Sequence, residues 1–223
     1  MAKEVIKKLK KYWKKFWFIV WKDNSLRGWI FSIIFLFIVI KFIFFPLLSL
    51  TTGTQLPLAI VESCSMYHQG NLFSNFDEWW QLHASKYSEI EINKTEFKDF
   101  IFKNGFNKGD ILFIVGTKPK DIKIGDVIIF QTSGQNPIIH RVIRIRQENG
   151  NFIFTTIGDN NAESFSLDQS IFVNPNKIDE INIKQSQIIG KAVFKPAPYL
   201  GWAKLIFYES SKGPSQRGFC NQN

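Results

Sequence analysis

From Gly28 to Leu50 the chain is apolar at almost every position, and Lys41 is the one charged residue in those 23. A helix of that length spans about 34 Å, enough for a hydrocarbon core of ~30 Å. The run therefore predicts a transmembrane helix over residues 28–50. Lys41 at mid-bilayer costs about 3 kcal/mol unless its amine reaches polar surroundings, so it is expected to snorkel or to face a partner. Pro46 is expected to kink the second half. The run is longer than a cleaved signal sequence, and no small-residue cleavage site follows it cleanly, so it is read as a retained anchor.

The charge is placed around this run. The chain carries a formal +9, and +7 of it lies in residues 1–27, as eight lysines and Arg27 against Glu4 and Asp23. Val5, Leu9, Trp13, Phe16 and Val20 recur at helical spacing among those lysines, which predicts an amphipathic helix lying on a membrane surface. Trp13, Trp17 and Trp21 suit the headgroup region. A basic arm beside an apolar span reads as contact with anionic lipid, and no nucleic-acid motif accompanies it, so no nucleic-acid partner is expected. The positive-inside rule puts this arm in the cytoplasm and everything after Leu50 outside, or in the lumen of a secretory compartment.

Residues 51–209 read as one β-rich domain. Residues 56–62, 111–115, 127–130, 138–145, 152–157 and 188–194 are β-branched or apolar runs. They are punctuated by Gly125-Asp126, Ser133-Gly134, Asn149-Gly150 and Gly158-Asp159. Residues 68–108 differ: polar and aromatic, with Asp77-Glu78-Trp79-Trp80 and a helix start at Thr95-Glu96, they predict a small helical excursion. Residues 162–180 read as a polar loop and 210–223 as a flexible tail. The fold class is mainly β, on an N-terminal transmembrane helix. Asn93-Lys94-Thr95 is a glycosylation sequon, usable if this side is external. Cys64 and Cys220 make no disulfide framework; a bridge between them stays open, and Cys64 as a small buried residue is the simpler reading. His68, His83 and His140 are scattered and lack cysteine partners, so neither metal nor cofactor is expected.

Chemistry enters with Ser63-Cys64-Ser65-Met66, Ile139-His140-Arg141-Val142 and Gly158-Asp159-Asn160-Asn161. Asn149-Gly150 is a preferred type I′ turn pair between two strand-like runs. If that turn sets the register, His140 lies directly opposite Asp159 on one face, their Cβ atoms about 5 Å apart. A carboxylate there would fix the imidazole tautomer and support its charged form. A one-residue bulge would spoil this pairing. Taken singly, each feature has a plain reading: a half-buried strand histidine, an Asx turn, one serine among many. Together they contain the parts of a hydrolytic triad.

In order, Val61-Glu62-Ser63-Cys64-Ser65-Met66, Gly125–Phe130, His140–Ile143, Gly158–Asn161 and Ile189-Gly190-Lys191-Ala192 resemble the boxes of type I signal peptidases. The likeness is to the archaeal and endoplasmic-reticulum type, with a histidine in place of the lysine base, and covers roughly residues 28–208. The resemblance implies a β-rich peptidase domain on an anchor, removing signal peptides after small residues. It makes Ser65 the nucleophile and His140 the general base. The Ser65 N–H and the Ser63 hydroxyl would be the oxyanion donors, worth about 3 kcal/mol each. Relatives often carry an aspartate six residues past the position of Asp159, where this chain has Phe165. Asp159 is favoured on the hairpin geometry, with Asp168 second, while Asp179 and Glu180 are further acids downstream. His68, where relatives often have proline, reads as a loop residue.

Fourteen residues separate Leu50 from Ser65, a reach of at most about 50 Å. The anchor thus confines the nucleophile near the surface where signal peptides emerge. The expected partners are signal-peptide-bearing preproteins, membrane lipids and the translocation machinery. The substrate is expected to bind extended along a sheet edge. Two other readings stand: a non-catalytic, membrane-tethered β domain that binds exported chains, and a peptidase restricted to a narrow set of surface-protein precursors.

Overall fold

The computed structural model describes residues 2–70, 76–132, 136–161 and 179–220. Ser133-Gly134, Phe165 and Asp168 lie outside the described residues. The chain separates into two compact units, Met1–Thr51 and Thr52–Asn223.

In the first unit, helix α1 (Ala2–Trp21) carries the lysine and aromatic pattern of the basic arm. Helix α2 (Leu26–Val39) begins where the Ser25 hydroxyl accepts the Gly28 N–H at 3.1 Å, which satisfies a donor that a helix start leaves unpaired. The two helices meet through Phe16, whose ring sits 5.9 Å from Phe31 and 5.1 Å from Phe35. The Ser32 hydroxyl also donates to the Val20 carbonyl at 2.8 Å. The helix continues through a wider π turn (Ile40–Phe44) into α3 (Phe45–Thr52). That turn falls just before Pro46, which has no N–H to donate, and a π bulge is one way a helix absorbs such a break. Leu26–Thr52 is in all 27 residues of helix, with an 18-residue window of mean hydropathy 2.8, long and apolar enough to cross a membrane. Lys41 Nζ lies over the rings of Phe37 and Phe42, at 5.6 and 5.5 Å.

The second unit is built on a curled, seven-stranded antiparallel sheet in the order β1-β2-β7-β3-β4-β5-β6. The strands are β1 (Leu58–Ile60), β2 (Ile111–Val115), β3 (Val127–Phe130), β4 (Ile138–Glu148), β5 (Asn151–Ile157), β6 (Ile183–Lys184) and β7 (Ile188–Ala197). The mainly β class is as expected; β6 is the strand the apolar runs did not reveal. Strand β3 is buried at every position. Val127 and Ile129 face a core with Val61, Met66, Leu112 and Ile114, whereas Ile128 and Phe130 face another with Val142, Phe154 and Ile183. Side chains alternate across a strand, so a strand covered on both faces reads as a continuous apolar run.

The helical excursion forms a third core. Helix α4 (Phe76–Ser88) and helix α5 (Lys94–Lys98) pack Phe76, Trp79, Trp80, Tyr87 and Phe97 against Ile143 of β4 and Ile157 of β5. Asn93 starts α5 by accepting the Glu96 N–H at 3.0 Å.

Two expectations are corrected here. Cys64 and Cys220 are bridged, with their Cα atoms 5.5 Å apart. Residues 209–220 are accordingly no loose tail but fold onto the second unit beyond helix α6 (Trp202–Leu205). Their anchor is Lys108, whose side chain is 1% exposed and whose Nζ donates to Glu209 Oε2 at 2.9 Å and the Gln216 carbonyl at 2.7 Å. A buried ammonium needs such partners, which composition alone does not reveal.

The β4–β5 turn is type I′ as expected, with positive φ at Asn149 (50°) and Gly150 (80°). A Cβ at Gly150 would meet nothing within 4 Å, so only backbone strain opposes a side chain there. Gly150→Ala is expected to cost about 1 kcal/mol of stability, read as a lower melting temperature.

Candidate active site

Strands β4 and β5 keep the register set by their turn from Glu148↔Asn151 to Arg144↔Thr155, then slip by one residue. Beyond the bulge the pairs are Val142↔Thr156 and Arg141↔Ile157. One inserted residue moves every later side chain to the other face of its partner strand. Asp159 therefore lies on the face of Arg141, not that of His140, and the expected His140–Asp159 pair does not form.

Asp159 is instead the centre of a buried network. Its carboxylate accepts from Arg141 Nη2 at 2.7 Å, from Arg141 Nε at 2.9 Å and from the Tyr87 hydroxyl at 2.7 Å. His68 Nε2 lies 2.9 Å away. Burial alone would push this carboxyl up, but the Arg141 guanidinium and the His68 hydrogen bond hold it well below the usual carboxylate range. Burial likewise works against the Arg141 charge, and Asp159 more than offsets it. The guanidinium also donates to the carbonyls of Ile101 (2.7 Å), Phe102 (3.0 Å) and Gly125 (2.9 Å), so one side chain ties together three loops.

This network fixes the turn at residues 158–161. Lys86 at the end of α4 holds it from behind, its Nζ donating to the carbonyls of Gly158 (2.8 Å) and Asn161 (2.7 Å). In front, the turn grips the serine loop: the Asn160 N–H donates to the Ser65 carbonyl at 2.7 Å, and Asn160 Nδ2 to the Cys64 carbonyl at 3.1 Å. Met66 is buried behind Ser65, and its Sδ accepts the Asp159 N–H at 3.4 Å. The Ser65 and Ser63 hydroxyls are 3.1 Å apart.

His140 comes to the same turn from β4. Its Nδ1 lies 2.6 Å from Glu180 Oε2, with both side chains buried. Glu180 is held in turn by Thr156, whose hydroxyl donates to Oε2 at 3.0 Å and whose N–H donates to the Glu180 carbonyl at 2.9 Å. A carboxylate at Nδ1 keeps the proton on that nitrogen and leaves the Nε2 lone pair available. Nε2 faces Gly158: a Cβ there would stand 3.0 Å from it and 2.6 Å from Asn161 Nδ2.

Two histidine–carboxylate pairs thus flank one turn, and they are not equivalent. His68 is 1% exposed, stacks on Trp79 at 3.5 Å, and its Nδ1 has no hydrogen-bond partner among the described residues. Burial pushes its imidazole down, against the pull of Asp159. The His68 backbone lies in a loop, as its sequence position indicated, but its side chain is sealed in the core. His140 instead faces Gly158, in the turn that holds the serine loop. A hydroxyl, an imidazole with an available Nε2 and a carboxylate behind it are the components of hydrolytic nucleophilic catalysis. The 158–161 turn contains Asp159, holds the Ser65 and Cys64 carbonyls through Asn160 and faces His140 at Gly158, with Glu180 rather than Asp159 behind the imidazole, while Ser63 is linked to it through the Ser65 hydroxyl. Glu180 stood among the downstream acids without a geometric argument in its favour. Lys86, Tyr87 and Arg141 carried no expectation; the available signal was an arginine next to a histidine on one strand, which must point to the opposite face.

No family model and no solved structure matches the chain. It is similar to curated proteins named signal peptidase complex catalytic subunit. The human SEC11C protein is 29% identical over 109 residues, 48% of this chain and 53% of the relative. The SEC11 protein of Scheffersomyces stipitis is 31% identical over 106 residues, 47% of this chain and 59% of the relative. The chain thus spans little more than half the length of the relatives it matches. These relatives bear out the resemblance to type I signal peptidases read from the motifs.

Gly158→Ala would crowd Asn161 first and His140 Nε2 next, so a hydrolytic rate that rests on this imidazole should fall by about tenfold or less, short of the loss a 1 Å misplacement brings. The melting temperature would test whether the fold persists. Asp159→Asn leaves Arg141 buried without its counter-charge and should cost about 3–5 kcal/mol. Because the Asp159 carboxyl titrates lower folded than unfolded, its stabilisation is complete above about pH 4 and is lost as pH falls further. Melting temperature against pH should therefore fall less steeply below pH ~4 in the variant than in the wild type.

Proposed function

We propose that this chain is a membrane-anchored serine endopeptidase of the signal peptidase I type. It removes N-terminal signal peptides, after small residues, from exported or membrane-inserted preproteins. The single observation that carries the reading is the joint seating of the Ser65 loop and His140 on the 158–161 turn, with a buried carboxylate 2.6 Å from His140 Nδ1. The similarity to catalytic subunits of signal peptidase complexes supports the same reaction class.

In this mechanism Ser65 Oγ attacks the scissile carbonyl while His140 Nε2 takes its proton. Glu180 stabilises the resulting imidazolium through Nδ1–H. The Ser65 N–H and the Ser63 hydroxyl donate to the oxyanion. His140 then protonates the leaving amine, and water, activated by the same imidazole, releases the acyl group from Ser65. Asp159 does not face the imidazole in this scheme: it holds Arg141 and, through the turn, the position of both reacting groups.

The proposed topology has residues 1–27 on the cytoplasmic side, the span in the cell membrane or the endoplasmic-reticulum membrane, and the peptidase domain from residue 51 onward outside or in the lumen. The Cys64–Cys220 bridge supports that side, because disulfides persist in oxidising compartments. Preproteins, anionic lipids and the translocation machinery are the proposed partners.

The test is precursor cleavage by the full chain in detergent. Ser65→Ala and His140→Ala should each lower kcat by about 10⁴-fold or more, and Glu180→Gln by about 10⁴-fold with KM little changed. Asp159→Asn, which acts on the turn and not on the imidazole, should lower kcat per folded molecule by about tenfold at most, far less than Glu180→Gln. Full cleavage by Ser65→Ala would overturn the assignment, and so would an Asp159→Asn loss of kcat per folded molecule matching that of Glu180→Gln.

A further inference from the structure

The residues just before Ser65 are also held by the C-terminal segment. The Glu62 carbonyl accepts Lys212 Nζ at 3.1 Å, and its carboxylate lies 3.3 Å from Lys204 Nζ. Two residues on, Cys64 is bonded to Cys220. Both neighbours of Ser63 are therefore tied to residues 204–220, while Asn160 holds the Cys64 and Ser65 carbonyls.

The segment is stiff enough to serve as a strap. Lys108 Nζ donates to Glu209, the Gln216 carbonyl and the Gly218 carbonyl (3.2 Å), so the segment folds around a buried ammonium. Glu209 also accepts the Gly218 N–H at 2.7 Å, and Arg217 donates to the carbonyls of Ser210 (2.7 Å) and Lys212 (2.8 Å). Phe219, next to Cys220, rests on Trp202 at 4.7 Å. Among the described residues, Cys220 is the only covalent link from this strap to the serine loop.

We propose that the Cys64–Cys220 bridge is a reducible positioning clamp for the nucleophile, making the hydrolytic rate depend on the redox state of the chain. This rests on the peptidase reading above. Ser63 and Ser65 are both next to Cys64, so any movement of its Cα displaces the attacking hydroxyl and the oxyanion donors together. Reduction by a dithiol breaks the Sγ–Sγ bond. Two electrons and two protons pass to the cysteines, giving two thiols, and the dithiol becomes its own cyclic disulfide. The strap keeps its hold on Lys108 and Glu62, while the serine loop retains only its hydrogen bonds. The bridge acts on the rate because it positions reacting groups. Substrate binding elsewhere on the domain is untouched.

The experiment is cleavage of a signal-bearing precursor by the full chain in detergent. It compares oxidised wild type, wild type treated with dithiothreitol, reoxidised wild type, and Cys220→Ser with and without dithiothreitol. Active sites are titrated with a serine-directed covalent inhibitor. The expected result is a kcat per titrated site lower by about 10–100-fold in reduced wild type and in Cys220→Ser. KM should stay within about twofold in both, activity should return on reoxidation, and dithiothreitol should have no further effect on Cys220→Ser. Wild-type kcat per site in reduced wild type and Cys220→Ser would overturn the clamp while leaving the peptidase reading intact. So would a loss traced wholly to fewer titratable sites, because that is unfolding, not misplacement. If oxidised wild type cleaves no precursor, the peptidase reading fails and the clamp falls with it.

Discussion

The second unit depends above all on the buried pair of Arg141 and Asp159. Neither side chain reaches solvent, and a lone charge in that place would be prohibitively costly. The guanidinium uses its remaining donors on backbone carbonyls from two loops, and the carboxylate uses its remaining capacity on Tyr87 and His68. Full satisfaction is what makes such a network tolerable in a low-dielectric interior. Its effect is geometric: it fixes the backbone from 158 to 161, from which the Ser65 loop and His140 are both positioned.

Much of this was legible in the chain, and the parts that were not share a cause. The strands announced themselves because β-branched and aromatic runs have no other use in a curled sheet. The Asn149-Gly150 turn fixed the first pairs of the hairpin. The register failed at Ile143, where one extra residue reversed the face on which Asp159 lies. Local turn chemistry has no knowledge of a bulge several residues along the strand. Glu180 was hidden for a different reason: it reaches His140 across 40 positions, from a stretch with no periodicity to read. Likewise, Lys86 and Tyr87 carry meaning only once α4 is docked on the ends of β4 and β5.

The two histidine–carboxylate pairs show how one motif type serves opposite ends. His68 with Asp159 is packed under Trp79, without room for a reactant, and serves the fold. His140 with Glu180 has the same short contact but presents its second nitrogen to the Gly158 side of the turn, where the serine loop is fastened. Burial and access, not the presence of the pair, separate the two. A search for histidine beside aspartate would have chosen the wrong one.

The sheet order has a kinetic consequence. Strand β7 lies between β2 and β3, so those two strands are never neighbours. Until β7 arrives, β1 and β2 are one fragment and β3 to β6 another, each with an open edge. The second fragment contains the hairpin with its two-residue turn, a contact that closes early because it is local. The first must wait for a strand some 70 residues further along the chain. The interval between these events leaves unpaired backbone exposed on both fragments, the state in which a β protein is most prone to pair with the wrong partner. Closing that interval falls to the insertion of one strand, Ile188–Ala197, which seals both edges at once.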